Sequence, residues 1–218
     1  MQNQDVHVCV FDTMSDWEVG HAIGHINTPD HQKSPGRYRV RSVAATRAPI
    51  RTAGGLTIVP DLTFEELQPE RSALVILPGG TVWERAAPAG ALEKVVQLRA
   101  AHVPLAAICG ATAGLARIGL LDDCAHTSNA RQYLDYQPGY RGGAHYIARP
   151  AVSDGGIITA GGTAPVDFAR EIFRQLDLYS PRVLDAWYGL FSTGEPQYYV
   201  ELMRHSSDAF EPAALMLD

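Results

Sequence analysis

Leu105-Ala106-Ala107-Ile108-Cys109-Gly110-Ala111-Thr112-Ala113-Gly114-Leu115 is an apolar strand that runs straight into a helix of small residues, with a cysteine at the junction. Such a junction is a nucleophile elbow. The residue on the sharp turn sits in strained backbone, and its neighbours two before and two after must be small to avoid collision. Ala107 and Ala111 meet that demand. The turn also sets Cys109 at the positive end of the following helix, whose free N–H groups favour an anion, so a thiol pKa below the ordinary value of about 8.5 is expected. A thiolate there is a nucleophile; the competing reading is a buried apolar cysteine, since free cysteines are among the most buried residue types.

Two further stretches converge on the same place. Leu74-Val75-Ile76-Leu77-Pro78-Gly79-Gly80 is a buried-type strand ending in two glycines that let backbone N–H groups approach a ligand. Val8-Cys9-Val10-Phe11 reads as the first strand, and Asp16-Trp17-Glu18-Val19 opens the helix after it. Strand ends of a parallel sheet gather on one edge, which brings Glu18, the glycine pair and Cys109 together.

Outward from these strands, residues 16–26 are expected to be helical, with an apolar stripe of Val19, Ile23 and Ile26. Tyr38 to Ala44 alternates like a strand, and Arg51-Thr52-Ala53-Gly54-Gly55-Leu56 marks a hairpin turn or bulge. Thr63 to Leu67 carries a capping-box pattern. Residues 88–102 read as a helix with Leu92, Val95 and Val96 on one face, and the elbow helix is expected to stop at Gly119. His126 to Asn129 reads as a short strand end, and residues 144–150 and 156–160 flank the turn signal Asp154-Gly155-Gly156. Thr163 is placed to cap the next helix, with Asp167 in its first turn and Phe168, Ile172 and Phe173 facing the sheet. Ser180-Pro181 starts another helix, striped by Leu184, Trp187 and Phe191. Strands alternating with helices predict an α/β fold: a doubly wound, mostly parallel, flavodoxin-like sheet with helices on both faces.

Composition agrees with one such domain over 1–218, its core at 6–178 and a C-terminal helical extension at 180–218. The 218 residues are 46% hydrophobic and 19% charged, enough to bury a sizeable core. A net charge of −6, with positive residues spread along the chain, gives no nucleic-acid footprint. No apolar run approaches the ~20 residues of a membrane span, and Met1 to Asp5 has no leader character, so a cytoplasmic location is expected. Three widely spaced cysteines suit a reducing compartment and match neither a disulfide framework nor a zinc spacing. Cys9, in a strand, and Cys124, in a turn, read as structural.

The order of Asp16-Trp17-Glu18, Leu77-Pro78-Gly79-Gly80, Ala107-Ile108-Cys109-Gly110 and Ile157-Ile158-Thr159-Ala160-Gly161-Gly162 resembles the ThiJ/PfpI superfamily, within the class I glutamine-amidotransferase-like fold. That superfamily contains the parkinsonism-associated protein deglycase. The resemblance implies Cys109 as the reactive residue, Glu18 as its hydrogen-bonding acid, and an oxyanion pocket from Gly79, Gly80 and Gly110. Burial would raise the pKa of Glu18 and keep it protonated beside a thiolate.

Two departures stand out. Protease-like and amidotransferase-like members carry a histidine next to the elbow cysteine, where this chain has Gly110. The deglycase branch carries one further along, where this chain has Asn129 or Ser128; His126 lies two or three residues out of register but shares a strand face with Ser128, so it is a candidate base. Glu18, His21 and His25 fall on one helical face, yet no third or fourth ligand points to a metal, and an ordinary interface or surface face is the preferred reading. The expectation is a cofactor-free, metal-free enzyme acting through Cys109 and Glu18 on a small electrophilic substrate, with Asn129 joining the three glycines at the substrate, of glyoxalase III, deglycase, hydrolase or hydratase type, and forming a homodimer. The alternative is a non-catalytic oxidative-stress sensor or chaperone-like protein that works by oxidation of Cys109 and needs no base.

Overall fold

The structure is a computed structural model, and it describes residues 4–204. The end of the expected C-terminal extension, His205 included, lies outside the described residues. In chain order the elements are β1 (Gln4–Cys9), α1 (Gly20–Asn27), β2 (Tyr38–Ala44), β3 (Ile50–Arg51), β4 (Thr57–Ile58), β5 (Leu62–Thr63), β6 (Ser72–Leu77), α2 (Val82–Arg85), α3 (Ala91–Ala100), β7 (Leu105–Ile108), α4 (Gly110–Arg117), α5 (Arg131–Asp135), β8 (Ala151–Asp154), β9 (Ile157–Ala160), α6 (Pro165–Gln175), α7 (Pro181–Thr193) and α8 (Pro196–Arg204).

Seven strands form one sheet in the order β5-β2-β1-β6-β7-β9-β8, all parallel except β8, which runs antiparallel to β9. The continuous apolar runs are explained by burial on both faces: Leu74, Ile76, Leu105, Ala106, Ile108 and Ile158 are all fully buried. From β1 the chain passes first to β2 on one side and later to β6 on the other. The junction between β1 and β6 is therefore a switch point, where the carboxyl ends of the strands open a crevice. Leu77 pairs with Ala107 and Ile108 with Ala160, so the ends of β6, β7 and β9 arrive there in register. The two-strand hairpin β3–β4 docks on the loop after β1, where the Thr13 N–H donates to Arg51 O at 2.7 Å and the Ala53 N–H to Met14 O at 2.9 Å.

Several elements differ from expectation for local reasons. The helix expected over 16–26 starts as a single 3-10 turn, Asp16–Glu18, and becomes α-helical only at Gly20. Ala22 and Ile26 are buried beyond the break, while Ile23 is only half-buried. α3 starts after Gly90, whose φ of +77 suits glycine, and its buried face is Ala91, Val95 and Leu98 at i, i+4 and i+7. Val96 is 50% exposed instead. Residues 126–129 form no strand; His126 makes one isolated bridge to Tyr146. The strand expected at 144–150 begins only at Ala151, because Gly142–His145 is a 3-10 turn and Pro150 has no N–H for a ladder. Thr163 does not cap α6: Ala164 holds that position, with Pro165 starting the helix. The caps at Thr63 and Ser180 do form, the Thr63 N–H donating to Glu66 Oε2 at 2.8 Å and the Val183 N–H to Ser180 Oγ at 3.4 Å.

Candidate active site

The elbow is strained as its composition requires. Cys109 has φ 56 and ψ −122, a left-handed conformation that costs a non-glycine residue roughly 1–3 kcal/mol unless its surroundings fix it. Its surroundings do so. Its N–H donates to Ala160 O at 2.9 Å, and its carbonyl accepts from the Thr112 hydroxyl at 2.6 Å. The same Thr112 hydroxyl meets Ser128 Oγ at 2.7 Å, tying the first turn of α4 to the segment that carries Asn129.

Three groups surround the half-buried sulfur. Asn129 Nδ2 donates to Sγ at 3.4 Å, while its Oδ1 accepts from the Gly162 N–H at 2.8 Å, which sets the orientation of the amide. The Gly110 N–H points at the sulfur from the start of α4. Glu18 is hydrogen-bonded to the thiol from the third side, with Ser15 also bonding its carboxyl. Only glycine fits beside this pair: a Cβ at Gly79 would stand 2.6 Å from Glu18 Oε2, and one at Gly162 would stand 2.8 Å from Cys109 Sγ.

Burial pushes the Glu18 carboxyl above the ordinary carboxylate range, against the pull of the Gly79 N–H and the bonds from Cys109 and Ser15. Burial also pushes the Cys109 thiol up, and the Glu18 carboxyl adds to the rise; the Asn129 amide and the Gly110 N–H oppose them without prevailing. The expected low thiol pKa is corrected by this geometry. The positive end of α4 is outweighed by loss of water and by a neighbouring acid.

Two other expectations change. Gly79 was assigned to the oxyanion pocket, but its N–H donates to Glu18 Oε2 at 2.6 Å and so anchors the acid. Gly80 and Gly110 lie side by side, since a Cβ at Gly110 would be 3.3 Å from Gly80 N. His126 is fully buried and turned to other partners. Its Nδ1–H donates to Cys124 O at 2.8 Å, and Nε2 pairs with the Tyr140 hydroxyl at 2.7 Å, which leaves neither nitrogen for Cys109. The face-sharing rule that linked it to Ser128 needs a strand, and none forms there. His21 and His25 leave Glu18 on the other side of the helix break and pack on Trp187 and Phe191, with centroid separations of 5.0–6.3 Å. Among the described residues no group of three or more His, Cys, Asp or Glu is arranged to hold a metal ion.

Ser15, Thr112 and Gly162 carry no functional signal in the motifs that single out Cys109 and Glu18. Gly161-Gly162 does repeat the strand-then-two-glycines signal of Gly79-Gly80, so Gly162 was open to discovery. Tyr133, on α5, also feels the site: burial first, then the charges of Glu84, Cys109 and Glu18, push its hydroxyl up to about 12.

A cysteine on a strained strand-to-helix turn, at the carboxyl edge of an open parallel sheet and beside a buried acid, defines a class of elbow-cysteine α/β proteins. The chain belongs to the DJ-1/PfpI family, whose model matches residues 4–175. It is 40% identical over 205 residues to the Bacillus subtilis protein named "Uncharacterized protease YoaZ", covering 93% of this chain and 98% of that one. A thiJ/pfpI family protein from Bacillus anthracis has a crystal structure that superposes with a TM-score of 0.89 at 39% identity, over 95% of this chain and 99% of that one. A DJ-1 superfamily protein from Agrobacterium tumefaciens superposes with a TM-score of 0.77 at 32% identity, over 88% of this chain and 98% of that one. Among the described residues no helix is long and apolar enough to cross a membrane.

Proposed function

We infer that the protein is a cysteine-dependent hydrolase of small substrates, with Cys109 as nucleophile and Glu18 as its acid–base partner. The observation that carries this reading is the hydrogen-bonded Cys109–Glu18 pair on a strained elbow. The name of YoaZ, a relative over nearly the whole chain, points to the same class. Burial raises the Glu18 carboxyl above the ordinary carboxylate range, which makes its carboxylate a stronger proton acceptor for the thiol, the work the absent histidine would otherwise do.

The reaction with an amide runs through a thioester. The thiol proton passes to the Glu18 carboxylate as the sulfur–carbon bond forms, and the carbonyl π pair moves onto oxygen, which accepts hydrogen bonds from the Gly80 and Gly110 N–H groups. Glu18 then returns the proton to the departing nitrogen as the carbon–nitrogen bond breaks. Water, deprotonated by Glu18, cleaves the thioester and regenerates the thiol. The same nucleophile can add to a small aldehyde such as methylglyoxal, the substrate of a glyoxalase III type reaction.

The test is turnover of small amides and of methylglyoxal by wild-type, Cys109→Ser and Glu18→Gln proteins, with mass spectrometry for the thioester. Activity is expected to fall at least ~100-fold in both variants. Unchanged turnover in Cys109→Ser, or none by the wild type on any of these substrates, would sink the reading. The orientation of His126 away from the thiol favours one rival, a sensor that is oxidised at Cys109 and turns nothing over; peroxide modification confined to Cys109, in a protein without turnover, is its signature.

A further inference from the structure

A cleft of about 630 Å³ opens between the 127–129 segment, the 146–150 segment and the start of α6. Its size falls in the ~300–1,000 Å³ range of small-molecule sites. Two of its wall residues connect it to the nucleophile. Asn129 lines it and donates to Cys109 Sγ, and Ser128 lines it and reaches the Cys109 carbonyl through the Thr112 hydroxyl.

The cleft also carries two opposite charges that are not spent on each other. Arg149 and Asp167 both line it, and among the described residues neither makes an ion pair. Asp167 Oδ1 accepts from the Tyr188 hydroxyl at 2.7 Å. The nearby cation Arg170 is committed elsewhere, to Asp185 at 3.0 Å, with its guanidinium 4.2 Å from the Tyr188 ring centroid. Asp167 stands in the first turn of α6. A half-buried carboxylate and an exposed arginine that line one cleft without pairing complement a molecule that carries an ammonium and a carboxylate of its own.

We propose that this cleft binds the charged ends of a small zwitterion, an amino acid or short peptide, with its ammonium at Asp167 and its carboxylate at Arg149. The substrate class of the Cys109 site is then a zwitterionic amide, a refinement that rests on the hydrolase reading. Asn129 forms the boundary between the bound ends and the thiol.

Calorimetric titration tests the proposal with four probes: the zwitterions glycylglycine and L-glutamine, the cation glycinamide and the anion N-acetylglycine. Because the titrations are run on both the wild-type and the Cys109→Ser protein, binding is read apart from chemistry. The zwitterions are expected to bind both proteins alike and more tightly than the singly charged probes. Asp167→Asn and Arg149→Gln are each expected to weaken a zwitterion by about tenfold, the worth of a charge-assisted hydrogen bond. N-acetylglycine should be indifferent to Asp167→Asn, and glycinamide to Arg149→Gln. Absence of saturable binding by either zwitterion, or binding that both substitutions leave unchanged, overturns the proposal whether or not Cys109 is a nucleophile. Zwitterion binding in a protein that turns nothing over overturns the hydrolase reading alone.

Discussion

Cys109 and Glu18 share a hydrogen bond in a half-buried pocket, where the carboxyl helps hold the thiol proton on. Removing the carboxyl removes a group that holds the thiol proton on, and Glu18→Gln is therefore expected to lower the pH midpoint of Cys109 alkylation. Asn129→Ala removes an opposing donor and is expected to raise it. Peptide mass spectrometry after timed iodoacetamide exposure reads both shifts, with Cys9, whose thiol burial pushes up to about 12, as an unreactive internal control. A rise in Glu18→Gln as well would mean that the acid holds its proton and donates to a thiolate. Cys109 itself was legible because an elbow is a local matter of strain and small neighbours. The partners of His126 were not, since Tyr140 and Tyr146 are brought to it by a loop that no periodicity announces.

At the scale of elements, the small residues of α4 are there for two reasons, and only one was visible beforehand. Ala111 relieves the turn, whereas Gly114 makes room for Trp83 of α2, which is fully buried and donates from Nε1 to Pro78 O at 2.9 Å. A Cβ at Gly114 would stand 2.6 Å from Trp83 Cε3. Gly114→Ala trades a small gain in helix propensity for this collision, and a net loss of about 1–3 kcal/mol is expected in urea unfolding. α2 itself, four residues long, went unread because a single turn leaves too little period to detect. The strands were the legible part: uninterrupted apolar runs bounded by glycine and proline have one reading in an alternating α/β chain. Where β8 and the 126–129 segment depart from expectation, proline and loop contacts overrule alternation.

Across the whole molecule, the end of the sheet opposite the site holds a second buried polar cluster. Asp5 is 2% exposed and accepts from Arg39 Nε at 2.5 Å, and His7, 1% exposed, pairs its Nδ1 with Ser72 Oγ at 2.9 Å. Burial, only partly offset by Asp5, drives His7 down to about 4. The folded state thus takes up the His7 proton later than the unfolded chain, whose histidine titrates near 6.5. The His7 contribution is whole above that value and is lost as pH falls from about 6.5 to about 4, by roughly 3 kcal/mol in all. Urea midpoints at pH 7.5 and 4.5 are expected to differ less for His7→Gln than for the wild type; an equal drop would remove His7 from the cause.

The sheet closes on β5, two residues long, on one side and on antiparallel β8 on the other, where Asp154 is exposed and its carboxylate is occupied by the Ala125 N–H at 2.7 Å. Neither margin offers a long row of free backbone groups to a stray chain. Among the described residues the sheet is thereby a poor template for strand-by-strand fibril growth.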